Sequence, residues 1–277
     1  MKHFNRSWPT CDGLLLSAQG WQPDGEARGV VALVHGLGEH SGRYGHVGAA
    51  LSEAGYVLYA FDLRGHGMSQ GPRGHAPHCE YWMDDIARAI QDAAQALPDL
   101  PLFLYGHSLG GILVLNYALR RQPHLQGLVV TAPGLRTALE RQTVKLALVR
   151  LLGRWLPALT LPSGLDPLGL SRNPAVVSAY VNDPLVHDKL SLGTALGLLQ
   201  AIAYAFEHAA NLQLPLLLMQ GAADPLVFPE GALEFARLVP DQCTIKLWDG
   251  LYHELHNEPE QRQVLATMIA WLDRHTA

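Results

Sequence analysis

A serine flanked by two glycines is the residue in this sequence best suited to covalent chemistry. Gly106-His107-Ser108-Leu109-Gly110 fits the pattern G-x-S-x-G, in which a sharp strand-to-helix turn holds the serine in a strained backbone conformation. Side chains at the two glycine positions would clash within such a turn. The segment PLFLY precedes the motif and GGILVLNYALRR follows it, so a strand and a helix are predicted where the motif needs them. We therefore expect Ser108 to be a nucleophile.

A second copy of the pattern, Gly67-Met68-Ser69-Gln70-Gly71, lacks this context. It lies shortly after a predicted strand that ends at Asp62, and Gly71-Pro72-Arg73-Gly74 follows it, so no helix can start there. We interpret this copy as a glycine-rich turn. The pattern predicts a nucleophile only where a strand precedes it and a helix follows it.

A serine hydroxyl is a poor nucleophile at neutral pH and needs a base within hydrogen-bond reach, which a carboxylate then orients. With this type of serine turn the chain order is serine, acid, histidine. Of the fourteen histidines, His253, His256 and His275 follow the last predicted strands. His275 is close to the end of the final helix and is expected to be solvated. His253 and His256 share one loop, and spacing alone does not separate them.

The acid is expected just beyond an apolar strand in the last third of the chain. Asp224 fits, because it follows the apolar run Leu214 to Gln220. Asp249 is the competitor, but it belongs to the same strand end as the histidine pair, and we favour Asp224. The alternative role for Asp224 is a turn residue ahead of Pro225.

Two backbone N–H groups are needed to stabilise the oxyanion that forms when a serine attacks an ester carbonyl. The amide of Leu109, directly after the nucleophile, is one candidate. The amide of Leu37 is the other, because His35-Gly36-Leu37-Gly38 follows a predicted strand and its glycines permit close approach. The alternative is that this loop is an ordinary strand-exit turn.

The elements that must position these residues alternate between short apolar runs and helical patterns, which is typical of an α/β fold with a mostly parallel sheet. The predicted strands are Val30 to His35, Tyr56 to Asp62, Leu102 to Tyr105, Leu125 to Thr131, Leu214 to Gln220 and Cys243 to Trp248. The predicted helices are Tyr44 to Ala54, Asp84 to Leu97, Gly110 to Arg121, one after Pro229 and a final one that opens at Asn257-Glu258-Pro259.

This alternation stops between Arg136 and Asn211. Five prolines cut the segment into short pieces, and it contains no strand-like run. We interpret residues 136–211 as a helical cap inserted into a core made of residues 1–135 and 212–277. The cap is expected above the carboxyl ends of the strands, where open α/β sheets bind ligands.

Composition excludes several classes of protein. In 277 residues, 48% are hydrophobic and 16% are charged, which excludes disorder. The formal net charge of −5 argues against a nucleic-acid partner. The three cysteines have no metal-ligand spacing, and neither a signal sequence nor a membrane span is predicted. We expect a cytoplasmic protein without metal, cofactor or obligate protein partner.

With these residues in hand, the chain resembles α/β-hydrolases of the monoacylglycerol lipase-like group, which includes lysophospholipases. The resemblance rests on separate patches that together span nearly the whole chain: HGLGEHSGRY (35–44), FDLRGHGMSQGPRG (61–74), GHSLGG (106–111), SRNPAVVSAYVNDPLV (171–186), QGAADPLV (220–227) and YHELHNEP (252–259). The resemblance implies a serine hydrolase on an α/β-hydrolase fold, with a mostly parallel central sheet, flanking helices and a helical lid.

The resemblance also assigns residues that spacing could not. It implies that His253 is the catalytic histidine and that His256 lies at the alcohol-binding end of the site. It further implies that Glu39 and Arg43 line the pocket for the glycerol of the substrate, where vicinal hydroxyls need both acceptors and donors. The alternative for Glu39 and Arg43 is a local ion pair that braces their loop.

The first part of the cap is basic, which suggests contact with anionic lipid. Five basic residues stand against Glu140: Arg136, Arg141, Lys145, Arg150 and Arg154. On a helical wheel, however, Arg141 and Lys145 fall nearly opposite Arg150 and Arg154, so they form no single basic face. Peripheral membrane contact through the cap is therefore one hypothesis, and a solvated cap helix is the other.

Together with the resemblance, these residues predict a serine carboxylic-ester hydrolase that cleaves monoacylglycerols with Ser108, Asp224 and His253. A lysophospholipase or a broad short- to medium-chain carboxylesterase on the same triad is the alternative. A lipid-binding protein without catalysis is disfavoured by the intact set of three residues. A metal hydrolase is disfavoured because no H-E-x-x-H pattern accompanies the histidines.

Overall fold

The computed structural model describes residues 1–137 and 143–276, which contain ten strands and eight α-helices. The strands are β1 (Lys2–Pro9), β2 (Leu15–Gln22), β3 (Gly29–Val34), β4 (Tyr56–Phe61), β5 (Leu102–His107), β6 (Gly127–Thr131), β7 (Thr160–Pro162), β8 (Lys189–Ser191), β9 (Leu216–Gly221) and β10 (Cys243–Trp248). The helices are α1 (Gly45–Glu53), α2 (Cys79–Ala96), α3 (Leu109–Arg121), α4 (Thr143–Trp155), α5 (Pro174–Asn182), α6 (Leu192–Glu207), α7 (Pro229–Leu238) and α8 (Gln261–His275).

Eight of the strands form one sheet in the order β1-β2-β4-β3-β5-β6-β9-β10. β2 pairs antiparallel with β1 and with β4, and every other neighbouring pair is parallel. The predicted α/β architecture with a mostly parallel sheet is therefore confirmed. Because β5, β6, β9 and β10 run in the same direction, the loops that follow them all leave from one edge of the sheet.

The central strands are apolar on both faces because helices cover both sides of the sheet. All six residues of β3 are buried, and they alternate between two apolar clusters. Val30, Ala32 and Val34 face the side of α2, α3, α6 and α7, whereas Val31 and Leu33 face the side of α1 and α8. β3 thus lies in a layer that helices cover on both faces.

Two parts of the sheet differ from the sequence prediction. Strands β1 and β2 precede the first predicted strand and form the antiparallel edge of the sheet. β1 has few buried residues, with Trp8 as its main apolar anchor, so its sequence carries little hydrophobic signal.

The absence of strands from the cap segment was also a wrong prediction, because β7 and β8 pair antiparallel there, from Thr160 with Ser191 to Pro162 with Lys189. Each of these strands has only three residues, which is too short for a periodic pattern. The predicted division into core and cap remains an interpretation. Ala205 and Ala209, at its far end, pack into the main core.

The start of the final helix was also predicted wrongly. α8 begins at Gln261, and Leu255–Asn257 forms a separate 3-10 turn. Glu258 adopts an extended conformation (φ −72°, ψ 159°), which is what Pro259 imposes on the residue before it. The carboxylate of Glu258 is also held by Ser171 and Arg172, so it serves to join the cap segment to this loop.

Among the described residues, no helix is both long enough and apolar enough to cross a bilayer.

Candidate active site

Ser108 occupies a strained turn between β5 and α3, with a backbone φ of +54° and ψ of −114°. Its two flanking glycines are required by close contacts. A Cβ on Gly106 would lie 2.4 Å from the carbonyl oxygen of Gly110, and a Cβ on Gly110 would lie 1.9 Å from the carbonyl oxygen of Val34. The turn thus packs against the end of β3, and the serine is half-buried. The second G-x-S-x-G copy has no helix after it until α2, as predicted.

The side chains of Ser108, His253 and Asp224 form one line of hydrogen bonds. His253 Nε2 lies 2.9 Å from Ser108 Oγ. On the other side of the ring, His253 Nδ1 donates to Asp224 Oδ2 over 2.8 Å. These residues follow β5, β10 and β9, three parallel strands whose carboxyl ends share one edge of the sheet. The geometry allows Ser108 to pass its proton to His253 while Asp224 fixes the ring.

Asp224 is held by its own loop as well as by the histidine. Its Oδ1 accepts from the amides of Leu226 (2.9 Å) and Val227 (3.0 Å), and its Oδ2 accepts from Gln220 Nε2 (3.0 Å). A Cβ on Gly221 would lie 2.3 Å from the carbonyl oxygen of Tyr252, so this glycine lets the two loops touch. These bonds therefore fix the Asp224 carboxylate independently of its bond to His253.

The protonation of this pair follows from burial and charge. Burial raises the pKa of the Asp224 carboxyl, but the charge of His253 and its hydrogen bond outweigh burial, so the pKa is lowered. Burial lowers the pKa of the His253 ring, but the charge of Asp224 and its hydrogen bond raise it above the ordinary 6.5. An ionised Asp224 next to His253 thus stabilises the imidazolium that forms when Ser108 loses its proton.

The two predicted oxyanion donors remain available. Within the described residues, neither the Leu37 amide nor the Leu109 amide donates a hydrogen bond. Leu109 is the first residue of α3, so its N–H points out of the helix end, where the helix dipole also favours negative charge. Gly36, next to Leu37, lies against Ser108, since a Cβ on Gly36 would be 3.3 Å from Ser108 Cβ.

The competing candidates lie away from this line. Asp249 is exposed after the end of β10, and no hydrogen bond joins it to His253. His275 stacks on Trp271 with ring centroids 4.1 Å apart and is bonded to that residue's carbonyl group.

Glu39 and Arg43 form a buried ion pair beside the site. Arg43 Nη1 donates to Glu39 Oε2 over 2.8 Å, which is the loop-bracing arrangement that the sequence left open. Burial raises the pKa of the Glu39 carboxyl, but Arg43, two nearby histidines and the Gly36 amide together outweigh burial and lower the pKa to about 2. The guanidinium also covers the ring of Tyr180 from α5, 4.8 Å from its centroid.

His256 is fully buried between rings rather than in a polar setting. Its ring stacks on Tyr44 with centroids 4.6 Å apart and lies edge-on to His107 at 4.9 Å. Neither ring nitrogen of His256 has a hydrogen-bond partner among the described residues. Burial lowers the pKa of this ring well below its ordinary value, so it stays neutral.

The sequence analysis missed two residues that support the site. Gln220 bonds to Asp224, and Glu254 receives both nitrogens of the Arg43 fork at 2.6 and 2.7 Å. Both lie inside patches on which the family resemblance rests, but neither has a spacing that points to its partner. Glu254 meets Arg43 across more than two hundred residues of chain, a contact that local patterns do not encode.

Comparison with known proteins gives three concordant results. Residues 25–260 match the family described as "Serine aminopeptidase, S33". The chain is 37% identical over 257 residues to a monoacylglycerol lipase of Mycolicibacterium smegmatis, covering 92% of this chain and 91% of that protein. It is also similar to the crystal structure of a monoacylglycerol lipase of Paleococcus ferrophilus. That likeness has a TM-score of 0.83 and 36% identity and covers 99% of this chain and 100% of the other.

One further relative is a much longer protein. The chain is 40% identical over 266 residues to an abhydrolase domain-containing protein of Dictyostelium discoideum. The match covers 95% of this chain but only 28% of that protein.

Proposed function

The chain belongs to the family described as serine aminopeptidase S33, within the α/β-hydrolases, and we propose that it cleaves monoacylglycerols to fatty acid and glycerol with Ser108 as nucleophile. The family and its serine-hydrolase chemistry agree with the resemblance found in the sequence. The observation that carries the proposal is the unbroken line of hydrogen bonds from Asp224 through His253 to Ser108.

In the acylation step, Ser108 Oγ attacks the carbonyl carbon of the ester while His253 Nε2 takes the hydroxyl proton. The carbonyl oxygen becomes negative and accepts hydrogen bonds from the Leu37 and Leu109 amides. The resulting imidazolium is stabilised by Asp224 and then gives its proton to the glycerol oxygen as the ester bond breaks. Glycerol leaves, and the fatty acyl group stays on Ser108.

In the deacylation step, a water molecule takes the place of glycerol beside His253. The ring removes a proton from the water, and the resulting hydroxide attacks the acyl carbonyl carbon. The same two amides stabilise the second oxyanion, and His253 returns the proton to Ser108 Oγ as fatty acid leaves. Every proton transfer in the cycle involves His253. Its two ring nitrogens are positioned by Asp224 and Ser108.

Monoacylglycerol as substrate is supported by the likeness to monoacylglycerol lipases from a bacterium and an archaeon over nearly the full chain. Both ring nitrogens of His256 lack protein partners among the described residues, but the ring is fully buried, so its contact with the alcohol remains a prediction. A neutral ring with one donor and one acceptor suits a glycerol hydroxyl. For Glu39 and Arg43, contact with the alcohol remains a prediction.

A substrate panel tests this proposal. Monoacylglycerols of several chain lengths are compared with diacylglycerol, triacylglycerol and lysophosphatidylcholine by titration of released fatty acid. We expect the highest kcat/KM for a monoacylglycerol and the lowest for the bulky triacylglycerol, because the cap is expected to cover a narrow acyl tunnel. A higher kcat/KM for lysophosphatidylcholine would instead identify a lysophospholipase on the same triad, and equal turnover of all the glycerides would contradict the tunnel.

Peripheral membrane contact through α4 belongs to the same proposal. Leu151 and Trp155 are 60% and 78% exposed, and they lie one turn apart on α4. The exposed Arg150 and Arg154 form the adjacent ridge, so apolar and basic side chains share one side of the helix. Of the other basic residues predicted here, Arg136 forms a partly exposed ion pair with Glu234 on α7. Arg141 and Glu140 lie outside the described residues, and so does the side chain of Lys145.

Vesicle flotation tests the membrane contact. We expect the protein to float with vesicles that contain anionic lipid and to lose this association in Trp155→Ser and Leu151→Ser. Leu238→Ser is the matched control, because Leu238 is an equally apolar residue, 45% exposed, on α7 of the core. Absence of any lipid-bound fraction in the unsubstituted protein would contradict the contact.

A further inference from the structure

A buried carboxylate–guanidinium–carboxylate chain connects the two loops that face each other across Ser108. Arg43 stands in the middle and donates from Nη1 to Glu39 Oε2 at 2.8 Å. Its Nη1 and Nη2 also bind both oxygens of Glu254, at 2.6 and 2.7 Å. All three side chains are at least nine-tenths buried, and the fork on Glu254 is bidentate, the most directional ion-pair geometry. We name this set of three residues the acid–base clamp.

One end of the clamp holds the loop with the first oxyanion donor. Glu39 Oε1 accepts from the amide of Gly36 at 2.7 Å, and Gly36 directly precedes Leu37. The hydroxyl of Tyr44 donates to the same oxygen at 2.8 Å. The direction of the peptide that precedes the Leu37 amide is therefore set by Glu39.

The other end of the clamp holds the loop with the base. Glu254 directly follows His253, and its Oε2 also accepts from Asn257 Nδ2 at 2.7 Å. The amide of Glu254 donates to the carbonyl oxygen of Leu170 in the cap segment, 2.8 Å away. The backbone next to His253 is thus fixed by the clamp on one side and by the cap on the other.

We propose that Glu254 is a positioning residue of the reaction. Through Arg43 and Glu39 it holds the His253 loop and the Leu37 loop at a fixed separation. The His253 ring and the Leu37 amide can then act on the same carbonyl group. This inference rests on the proposed role of Ser108, Asp224 and His253. It assigns to Glu254 a function that no residue spacing indicated, and it gives Arg43 and Glu39 a structural task in the same step.

The charges of the clamp support the proposal. Two carboxylates against one guanidinium leave one net negative charge in a buried region next to His253. The groups that face the His253 ring are Asp224, Glu254 and Glu39, which favour its protonated form, and His107 and His256, which are close enough to oppose it. The burial of His107 lowers the pKa of its ring to about 4, so it is neutral at pH 7. The clamp therefore adds to the effect of Asp224 in stabilising the imidazolium.

Substitution of Glu254 by Gln tests the proposal, because it keeps the shape of the side chain and removes its charge. The matched control is Glu258→Gln, since Glu258 is a fully buried carboxylate on the same loop. It is bound to Arg172 at 2.5 Å and does not contact Arg43. Histidine ring resonances are titrated by NMR in the full-length protein, with the His253 signal assigned by its loss in His253→Asn. kcat and KM are measured with a monoacylglycerol and with p-nitrophenyl butyrate.

We expect Glu254→Gln to lower the pKa of His253 by about one pH unit and kcat by roughly ten- to a hundredfold, with KM changed little. Glu258→Gln is expected to lower the thermal midpoint while leaving the pKa of His253 in place. The proposal is overturned if both variants leave that pKa unchanged or shift it equally, because Glu254 would then be only an anchor of the loop. The NMR titration needs no substrate. Failure to hydrolyse monoacylglycerol would therefore refute the proposed function, whereas the pKa of His253 in each variant could still be interpreted.

Discussion

At the scale of single residues, the reactivity of Ser108 depends on a histidine whose pKa is decided by two opposed effects. Burial lowers the pKa of the His253 ring and Asp224 raises it, with a net rise above 6.5. The neutral ring is the base, so activity is present above this pKa and is lost as pH falls through it. We therefore expect the acid limb of kcat/KM to lie above pH 6.5.

Asp224→Asn tests this balance. Without the carboxylate, burial is opposed by the smaller effects of Glu254 and Glu39, so the acid limb should move to lower pH. At the pH optimum, kcat should fall by about 10³- to 10⁴-fold because the ring tautomer is no longer fixed. A pH–rate profile with a matched thermal melt measures both effects. An acid limb that stays in place would show that Asp224 does not control His253.

Arg43→Gln separates the two roles open to Arg43. If Arg43 belongs to the acid–base clamp, kcat should fall by the same factor for a monoacylglycerol and for p-nitrophenyl butyrate, which has no glycerol. If it binds the glycerol, only the monoacylglycerol should be affected, and mainly through KM. Parallel kinetics with both esters distinguish these outcomes, and we expect the first.

At this scale the sequence indicated which residues converge but not all of their partners. Ser108 was predictable because its glycine context is local, and Asp224 and His253 because chain order restricts the candidates. Spacing alone could not choose between His253 and His256, which the resemblance did. Glu254 was missed because its partner Arg43 is distant in the chain.

At the scale of elements, the turn between β5 and α3 depends on contacts that exclude any side chain. Gly110→Ala would place a methyl group 1.9 Å from the carbonyl oxygen of Val34, so the turn could not close as it does. We expect destabilisation by about 3 kcal/mol and loss of activity. Chemical denaturation of the variant measures the free energy of unfolding directly.

Gly197→Ala is the matched control in α6. A Cβ at that position meets no atom within 4 Å, so alanine should stabilise the helix by about 0.5–1 kcal/mol through lower entropy of the unfolded chain. Equal effects of the two substitutions would mean that the close approach at Gly110 does not constrain the turn.

Elements with strong apolar patterns were predicted within a few residues, whereas weak patterns were not. The strands β3, β4 and β9 are buried along their whole length, and nearly all of their residues are apolar. β1 and the three-residue β7 and β8 gain their structure from pairing with neighbours rather than from their own sequence. The start of α8 was misplaced because the constraint that Pro259 puts on Glu258 was read as a helix opening.

At the scale of the whole molecule, the sheet brings the site together by topology. β5, β9 and β10 are parallel, so loops separated by more than a hundred residues meet at one edge, beneath the segment predicted as the cap. The cap segment is tied to the same place, because Ser171 and Arg172 bind Glu258 on the histidine loop. The fold class and a cap above the carboxyl ends of the strands could be predicted from alternating patterns, whereas a lid over an acyl tunnel was implied only by the resemblance.

The rate of fatty-acid release from a monoacylglycerol by Ser108→Ala, compared with the unsubstituted protein, tests the central claim most directly. A thermal melt of both proteins verifies that the variant is folded. We predict that the release rate falls by at least about a thousandfold, leaving only what oxyanion stabilisation and binding can supply. A folded Ser108→Ala protein that releases fatty acid at the original rate would contradict the assignment of the nucleophile and the mechanism built on it.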